Sequence, residues 1–114
     1  MIWKHFSKEE VENLDPILVA GLDMARDICK FPFKITSGYR APEHNAEIGG
    51  VPDSAHTKGK AADLQRPQGE ELLFKMLWAL GVAGFKRIEV ATRHIHVDID
   101  DTKPQYVMWF GESK

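Results

Sequence analysis

The sequence predicts an α+β domain, a small antiparallel sheet covered by helices, and three observations carry that prediction. Apolar residues recur at three- and four-residue spacing in two stretches, 11–29 and 72–80, which is the period of helices with one buried side. Short alternating or apolar runs at 33–36, 61–64, 87–91, 94–99 and 105–110 read as strands. The order is therefore helices, strand, loop, strand, helix, strands. The 114 residues suit one domain, 1–114, and 43% apolar with 28% charged residues is a foldable composition. A domain of this size buries about 65% of its unfolded surface and holds a core without disulfides.

Ser7-Lys8-Glu9-Glu10 reads as a capping box, with Ser7 as the N-cap and Glu10 as its reciprocal partner. Val11, Leu14, Leu18, Leu22, Ala25 and Cys29 form the stripe that follows, and Pro16 divides it into a short first helix and a longer second one over 16–30. Phe31-Pro32 stops that helix, and the 33–36 strand ends at Ser37-Gly38. From 39 to 60 the chain is poor in apolar residues and rich in turn formers, with a brief helix over 42–48 begun by Pro42. A loop this long in a compact domain is uncommon unless it carries function. A short buried strand precedes an amphipathic helix over 69–80, with Leu72, Leu73, Met76, Leu77 and Leu80 inward and Gly81 as its C-cap. Three strands close the chain, the first two joined by a tight turn near Thr92-Arg93.

Composition excludes several classes. Fifteen Lys and Arg against seventeen Asp and Glu give a formal charge of −2, which offers no strong field to nucleic acid or an anionic membrane. The single cysteine, Cys29, excludes an intramolecular disulfide and a Cys-rich zinc ribbon, and suits a reducing compartment. The longest nearly uncharged stretch, 76–85, falls well short of the ~20 residues of a spanning helix, and no basic segment with an apolar run opens the chain. The expectation is cytoplasmic synthesis without a signal peptide, no membrane insertion, and a monomer.

Five histidines are present, and three fall where a metal could use them. His94-Ile95-His96 lies in a predicted strand, where residues two apart share a face, so both imidazoles and Asp98 line one side. Such a row is costly inside a core, so the face is wet or its groups are paired. Taken alone, the spacing fits a solvated sheet edge. His56 and Asp63 flank Gly59 among small residues (Ser54, Ala55, Ala61, Ala62) that let backbone crowd a fixed centre, and that pair taken alone reads as surface. Together, His56, Asp63 and His96 supply three ligands to a tetrahedral zinc and leave the fourth position to water, which is the catalytic pattern. Zinc brings the pKa of such a water to about 7 and polarises a carbonyl, as amide hydrolysis requires. His94 is then spare, placed to take a proton or to hydrogen-bond a developing alkoxide.

The blocks Ser37-Gly38-Tyr39-Arg40-Ala41-Pro42-Glu43-His44-Asn45, Gly49-Gly50-Val51, Ser54-Ala55-His56-Thr57-Lys58-Gly59-Lys60-Ala61-Ala62-Asp63 and His94-Ile95-His96-Val97-Asp98 resemble, in that order, the zinc D-Ala-D-Ala carboxypeptidase family. That family includes phage L-alanyl-D-glutamate endolysins and shares its fold with the hedgehog signalling domain. The likeness runs over roughly 31–99, and S-x-H-x-x-G-x-A-x-D followed by H-x-H is a specific signal. It implies zinc on His56, Asp63 and His96, with His94 catalytic rather than ligating. It implies that Arg40 binds the substrate carboxylate or polarises its carbonyl, a task suited to its fork, where an arginine on such a loop is otherwise solvated. Ser54 resembles a family serine that contacts substrate at the site rim, beside its plainer reading as a turn cap. One departure matters: several relatives carry an acidic base three residues before the last ligand, where this chain has Arg93. The base role then falls to His94, or to an acid from elsewhere such as Glu89.

His44 and Asn45 read as loop braces, with a supporting role toward the ligands as the alternative. Asp98 reads as an acceptor behind a ligand or at a strand end, His5 as surface, and Cys29 as a small core residue. The three tryptophans read as core, with Trp109 a candidate rim aromatic. The resemblance implies a zinc peptidase hydrolysing peptidoglycan stem peptides, of the D-Ala-D-Ala carboxypeptidase or L-Ala-D-Glu/DD-endopeptidase type. A phage or prophage endolysin that a holin releases to the cell wall, or a tail-associated lysin, fits a chain without a wall-binding module or signal. The competing readings are a zinc-stabilised binding module without hydrolysis and a phage structural module on the same fold. A pure binding module needs neither the spare His94 nor Arg40.

Overall fold

The computed structural model describes residues 3–113. Its elements are α1 (Pro16–Cys29), β1 (Ile35–Ser37), α2 (Pro42–Glu47), a 3-10 turn (Ala55–Lys58), β2 (Ala61–Gln65), α3 (Glu70–Val82), β3 (Arg87–Val90), β4 (His94–Asp98) and β5 (Val107–Phe110). The strands make one sheet in the order β1-β2-β4-β3-β5. Neighbours are antiparallel except at one edge, where β5 runs parallel to β3. This is the expected α+β architecture, and the parallel edge follows from the connection. Residues 99–106 step across the end of β3, where the Arg87 Nη1 donates to the Pro104 carbonyl at 2.6 Å.

Alternation along the strands sorts the sheet into two faces. Leu64, Ile88, Val90, Ile95 and Val97 join Leu18 and Leu22 of α1 and Met76 and Leu80 of α3 in one buried cluster. Each such side chain contributes about 1.5–3 kcal/mol through burial. The helices thus cover one face and leave the other to the functional groups.

Helix α1 starts at Pro16, whose missing N–H costs nothing at a first turn, and the Asp15 carboxylate accepts from the Ile17 N–H at 2.8 Å. The capping box forms, with the Ser7 N–H donating to Glu10 Oε1 at 2.9 Å and the Glu10 N–H to Ser7 Oγ at 3.2 Å. The short first helix expected after it is a run of turns instead. Asn13 takes a left-handed φ of 63° and Pro16 follows, so too few residues remain to repay helix nucleation. Helix α3 runs past Gly81 to Val82, and the positive φ of its exit falls on Gly84, with the Phe85 N–H closing on the Leu80 carbonyl at 3.1 Å. Glycine inside a helix costs only about 1 kcal/mol, so Gly81 does not end it. Leu72 and Trp78, expected inside, are exposed on the outer side of α3. Strand β5 begins at Val107 because Tyr106 takes a φ of 60°. Among the described residues no helix is long and apolar enough to cross a membrane.

Candidate functional site

The sheet face away from the helices opens into a cleft of about 880 Å³, bounded by the 48–56 segment and by β2, β3, β4 and β5. Three local devices deliver His56, Asp63 and His96 to its floor. Ser54 caps the 3-10 turn by accepting the His56 N–H at 3.2 Å. Gly59 ends that turn at a φ of 71°, and a Cβ there would overlap the Asn13 carbonyl, so only glycine fits. Asp63 of β2 stands directly opposite His96 of β4 in the antiparallel register, which places the two side chains together on one face.

The contacts fix where the protons are. His56 Nδ1 lies 2.8 Å from the Gly38 carbonyl, which can only accept, so that nitrogen donates. His96 Nε2 lies 2.7 Å from Asp98 Oδ2 and donates likewise. The remaining nitrogens, His56 Nε2 and His96 Nδ1, both face Asp63 Oδ1, at 3.2 and 2.9 Å. With neutral rings, three electron-pair donors converge with no proton between them, and their ligating atoms lie within 4.8 Å of one another. Only protons or a cation can hold such a cluster together. Its chemistry, two imidazoles and one carboxylate, fits a divalent metal such as zinc.

Without a metal, protons take that role. Burial pushes the His96 imidazole down, but hydrogen bonds to Asp63 and Asp98 outweigh it and raise its pKa from 6.5 to about 9. Burial likewise pushes the Asp63 carboxyl up, and the hydrogen bonds from His56 and His96 reverse this, holding it well below the usual carboxylate range. Asp98 is also held low: burial opposes ionisation, and the His96 hydrogen bond, the Asp100 N–H and Arg87 favour it. Arg87 Nε donates to Asp98 Oδ1 at 2.8 Å, so a buried cation backs the carboxylate that orients His96.

His94 lines the same cleft beside His96. Its Nε2 sits 4.0 Å from Asp63 Oδ1 and 3.7 Å from Glu89 Oε1, and its Nδ1 lies 2.8 Å from Ser113 Oγ. Arg40 lines the cleft, its backbone N–H donates to the His56 carbonyl at 3.1 Å, and its buried Nε has no hydrogen-bond partner among the described residues. Trp109 lies 6.0 Å, ring to ring, from His96 and stacks under Arg87 at 4.9 Å, so it walls the site rather than the core.

Sequence reasoning thus named residues that do meet: His56, Asp63, His96, His94, Arg40, Ser54 and Glu89 share one cleft, and Asp98 stands behind His96 as an acceptor. Two side residues differ from expectation. Asn45 is the loop brace, donating to the Val51 carbonyl at 2.7 Å, whereas His44 is exposed and holds nothing in the cleft. His5 is half-buried beside Asp27 rather than free at the surface. The residues missed are Arg87, whose alternation with Glu89 across Ile88 was the available signal, and Ser113, which had none.

Residues 4–98 match the family Peptidase M15. That span holds every element from α1 to β4, and the chain belongs to this peptidase family. No curated protein matches it in sequence. Among solved structures it is similar to the L-Ala D-Glu endopeptidase ChiX of Serratia marcescens, with a TM-score of 0.60 and 19% identity over 89% of this chain and 92% of that one. At that identity the likeness is one of fold.

Proposed function

We propose that this chain is a zinc peptidase that hydrolyses peptidoglycan stem peptides, with His56, Asp63 and His96 holding the metal. The observation that carries this reading is the convergence of two imidazole lone pairs, each ring backed by its own partner, and a carboxylate on one point of an open cleft. The metal, when bound, supplies an acidified water and a polarised carbonyl. The chain's own groups do the rest. His94 Nε2 faces the cleft and moves the proton between water and the leaving amine, with the Glu89 carboxylate beside it as the second candidate for that proton. Arg40, with a buried N–H left unpaired, binds a substrate carboxylate. Ser54 shapes the wall and orients His56, and its hydroxyl proton remains available to substrate.

Stem peptides are short, carry D-residues and end in carboxylates, which suits a metal beside a cation. The likeness to an endopeptidase whose name gives the L-Ala D-Glu bond supports that substrate class. An endolysin reaching the wall after a holin acts is the setting we favour. The test is zymography on cell-wall material with and without a chelator, followed by mass analysis of products from a defined stem peptide. His94→Ala is expected to keep one zinc per chain and lose hydrolysis by about 100- to 10,000-fold. A variant that loses its zinc makes His94 a ligand, and wild-type protein inert toward every stem peptide sinks the proposal.

A further inference from the structure

We propose that the segment following β5 is part of the catalytic apparatus, with Ser113 as the positioning residue that holds His94. This rests on the role given to His94 above. The segment lies outside the residues, 4–98, that match the family. Membership therefore assigns it nothing.

The attachment is continuous. The Gly111 N–H donates to the Val90 carbonyl at 3.1 Å, carrying the parallel pairing of β5 with β3 one step past Phe110. A Cβ at Gly111 would overlap the Glu89 carboxylate, so glycine lets the backbone pass beside that side chain. Two residues on, the Ser113 N–H donates to Thr92 Oγ1 at 3.1 Å, and the Arg93 N–H donates to Ser113 Oγ at 2.7 Å. Thr92 and Arg93 form the turn that leads into His94, so the segment clasps the strand entry that carries the histidine.

The same hydroxyl meets the ring. Ser113 Oγ lies 2.8 Å from His94 Nδ1. Having accepted the Arg93 N–H, it keeps one lone pair and its own proton, so it can receive a proton from Nδ1 or give one to it. Among the described residues the other ring nitrogen has long contacts alone, 3.7 Å to Glu89 and 4.0 Å to Asp63. Ser113 is thus the short contact that fixes the ring about its two side-chain torsions and aims Nε2 into the cleft. Misplacing a reacting group by about 1 Å costs on the order of 100-fold in rate, so holding the ring matters.

The experiment compares Ser113→Ala, Ser113→Thr, His94→Ala and the Ser113→Ala/His94→Ala pair in the zinc-loaded full chain, on the stem peptide that wild type cleaves. Ser113→Ala is expected to lower kcat about 10- to 100-fold with KM and zinc content unchanged. Ser113→Thr, which restores a hydroxyl, should recover most of that loss. In the His94→Ala background, Ser113→Ala should remove nothing further. The side-chain ¹⁵N shifts of His94 give a readout independent of turnover: wild type should show one fixed ring state, and Ser113→Ala an averaged one. A fully active Ser113→Ala, or an equal loss with and without His94, overturns the inference and leaves the functional reading intact. A fully active His94→Ala overturns the inference and the role given to His94, passes the proton to Glu89, and leaves the zinc-peptidase reading standing.

Discussion

The two faces of β4 are built by one pentapeptide and obey different rules. Ile95 and Val97, both at 0% exposure, point to the helices and need only shape and burial. His94, His96 and Asp98 point to the cleft, and every one of them has a named partner: Ser113, Asp98 with Asp63, and Arg87. An apolar side chain is satisfied by any close-packed neighbour, whereas a polar one beside a low-dielectric core needs a specific atom at a specific distance. Stability and chemistry can therefore be altered separately along the same strand.

The strongest test removes the group that both rings face. Asp63→Ala should cost orders of magnitude in zinc affinity and abolish hydrolysis, while the helix-covered face keeps the fold, as elemental analysis and circular dichroism will report. Full zinc occupancy in that variant removes Asp63 from the ligand set. One residue from His96 on the opposite face, Ile95→Ala should do the reverse. It should cost about 2–5 kcal/mol in urea unfolding and leave zinc stoichiometry at one in the folded protein. Loss of zinc from folded Ile95→Ala shows that the faces are coupled.

The legibility of the two faces in the sequence follows the same division. Periodicity alone marked the inward stripe of α1 and most of that of α3, and placed His94, His96 and Asp98 on one side of β4, because burial and facing are properties of spacing. The donor cluster was legible because its signals are local: His56 and Asp63 sit on one turn and the strand after it, and His96 two residues from His94. What stayed hidden depended on register. Arg87 reaches Asp98 only because β3 pairs antiparallel with β4, and Ser113 reaches His94 only because β5 returns parallel to β3. Neither is visible in spacing. The missing first helix and the overrun of α3 past Gly81 are failures of another kind, where Asn13 and Gly84 took the left-handed positions that end an element.

Acid–base behaviour sharpens the comparison, because only the cleft face titrates. In metal-free protein the folded state raises the His96 pKa from 6.5 to about 9, so it holds that proton more tightly than the unfolded chain does. The resulting stabilisation is complete below about pH 6.5 and is lost as pH rises through about 9. Asp63, held low in the fold, contributes the opposite limb, present above the usual carboxylate range and lost as pH falls. Zinc bound as proposed would take the place of the proton on the inward nitrogen, so the alkaline limb should vanish in the loaded protein. Urea titrations between pH 6.5 and 9.5, with and without chelator, check this. Chelated protein that gains stability with rising pH contradicts the His96 contacts.

The smallest change predicted to matter is a single atom, in Asp98→Asn. Asp98 Oδ1 accepts two N–H groups, Arg87 Nε at 2.8 Å and the Asp100 amide at 3.1 Å, so in the variant an oxygen must remain at that position. The amide nitrogen then takes the place of Oδ2, 2.7 Å from His96 Nε2. An NH₂ group there can only donate, so Nε2 must become an acceptor and the ring proton must move to Nδ1. That is the nitrogen that faces Asp63 and is assigned to the metal. The variant keeps its shape and its packing but presents a proton where a lone pair is required. Loss of such a partner behind a ligating histidine typically costs 10- to 100-fold in metal affinity, about 1.4–2.7 kcal/mol, and competition against a zinc chelator will measure it. Asp98→Ala removes both acceptor oxygens and leaves Arg87 buried without its carboxylate, so it should lose more in unfolding free energy than Asn does while weakening zinc less specifically. Equal zinc affinity in wild type and Asp98→Asn shows that His96 does not ligate through Nδ1.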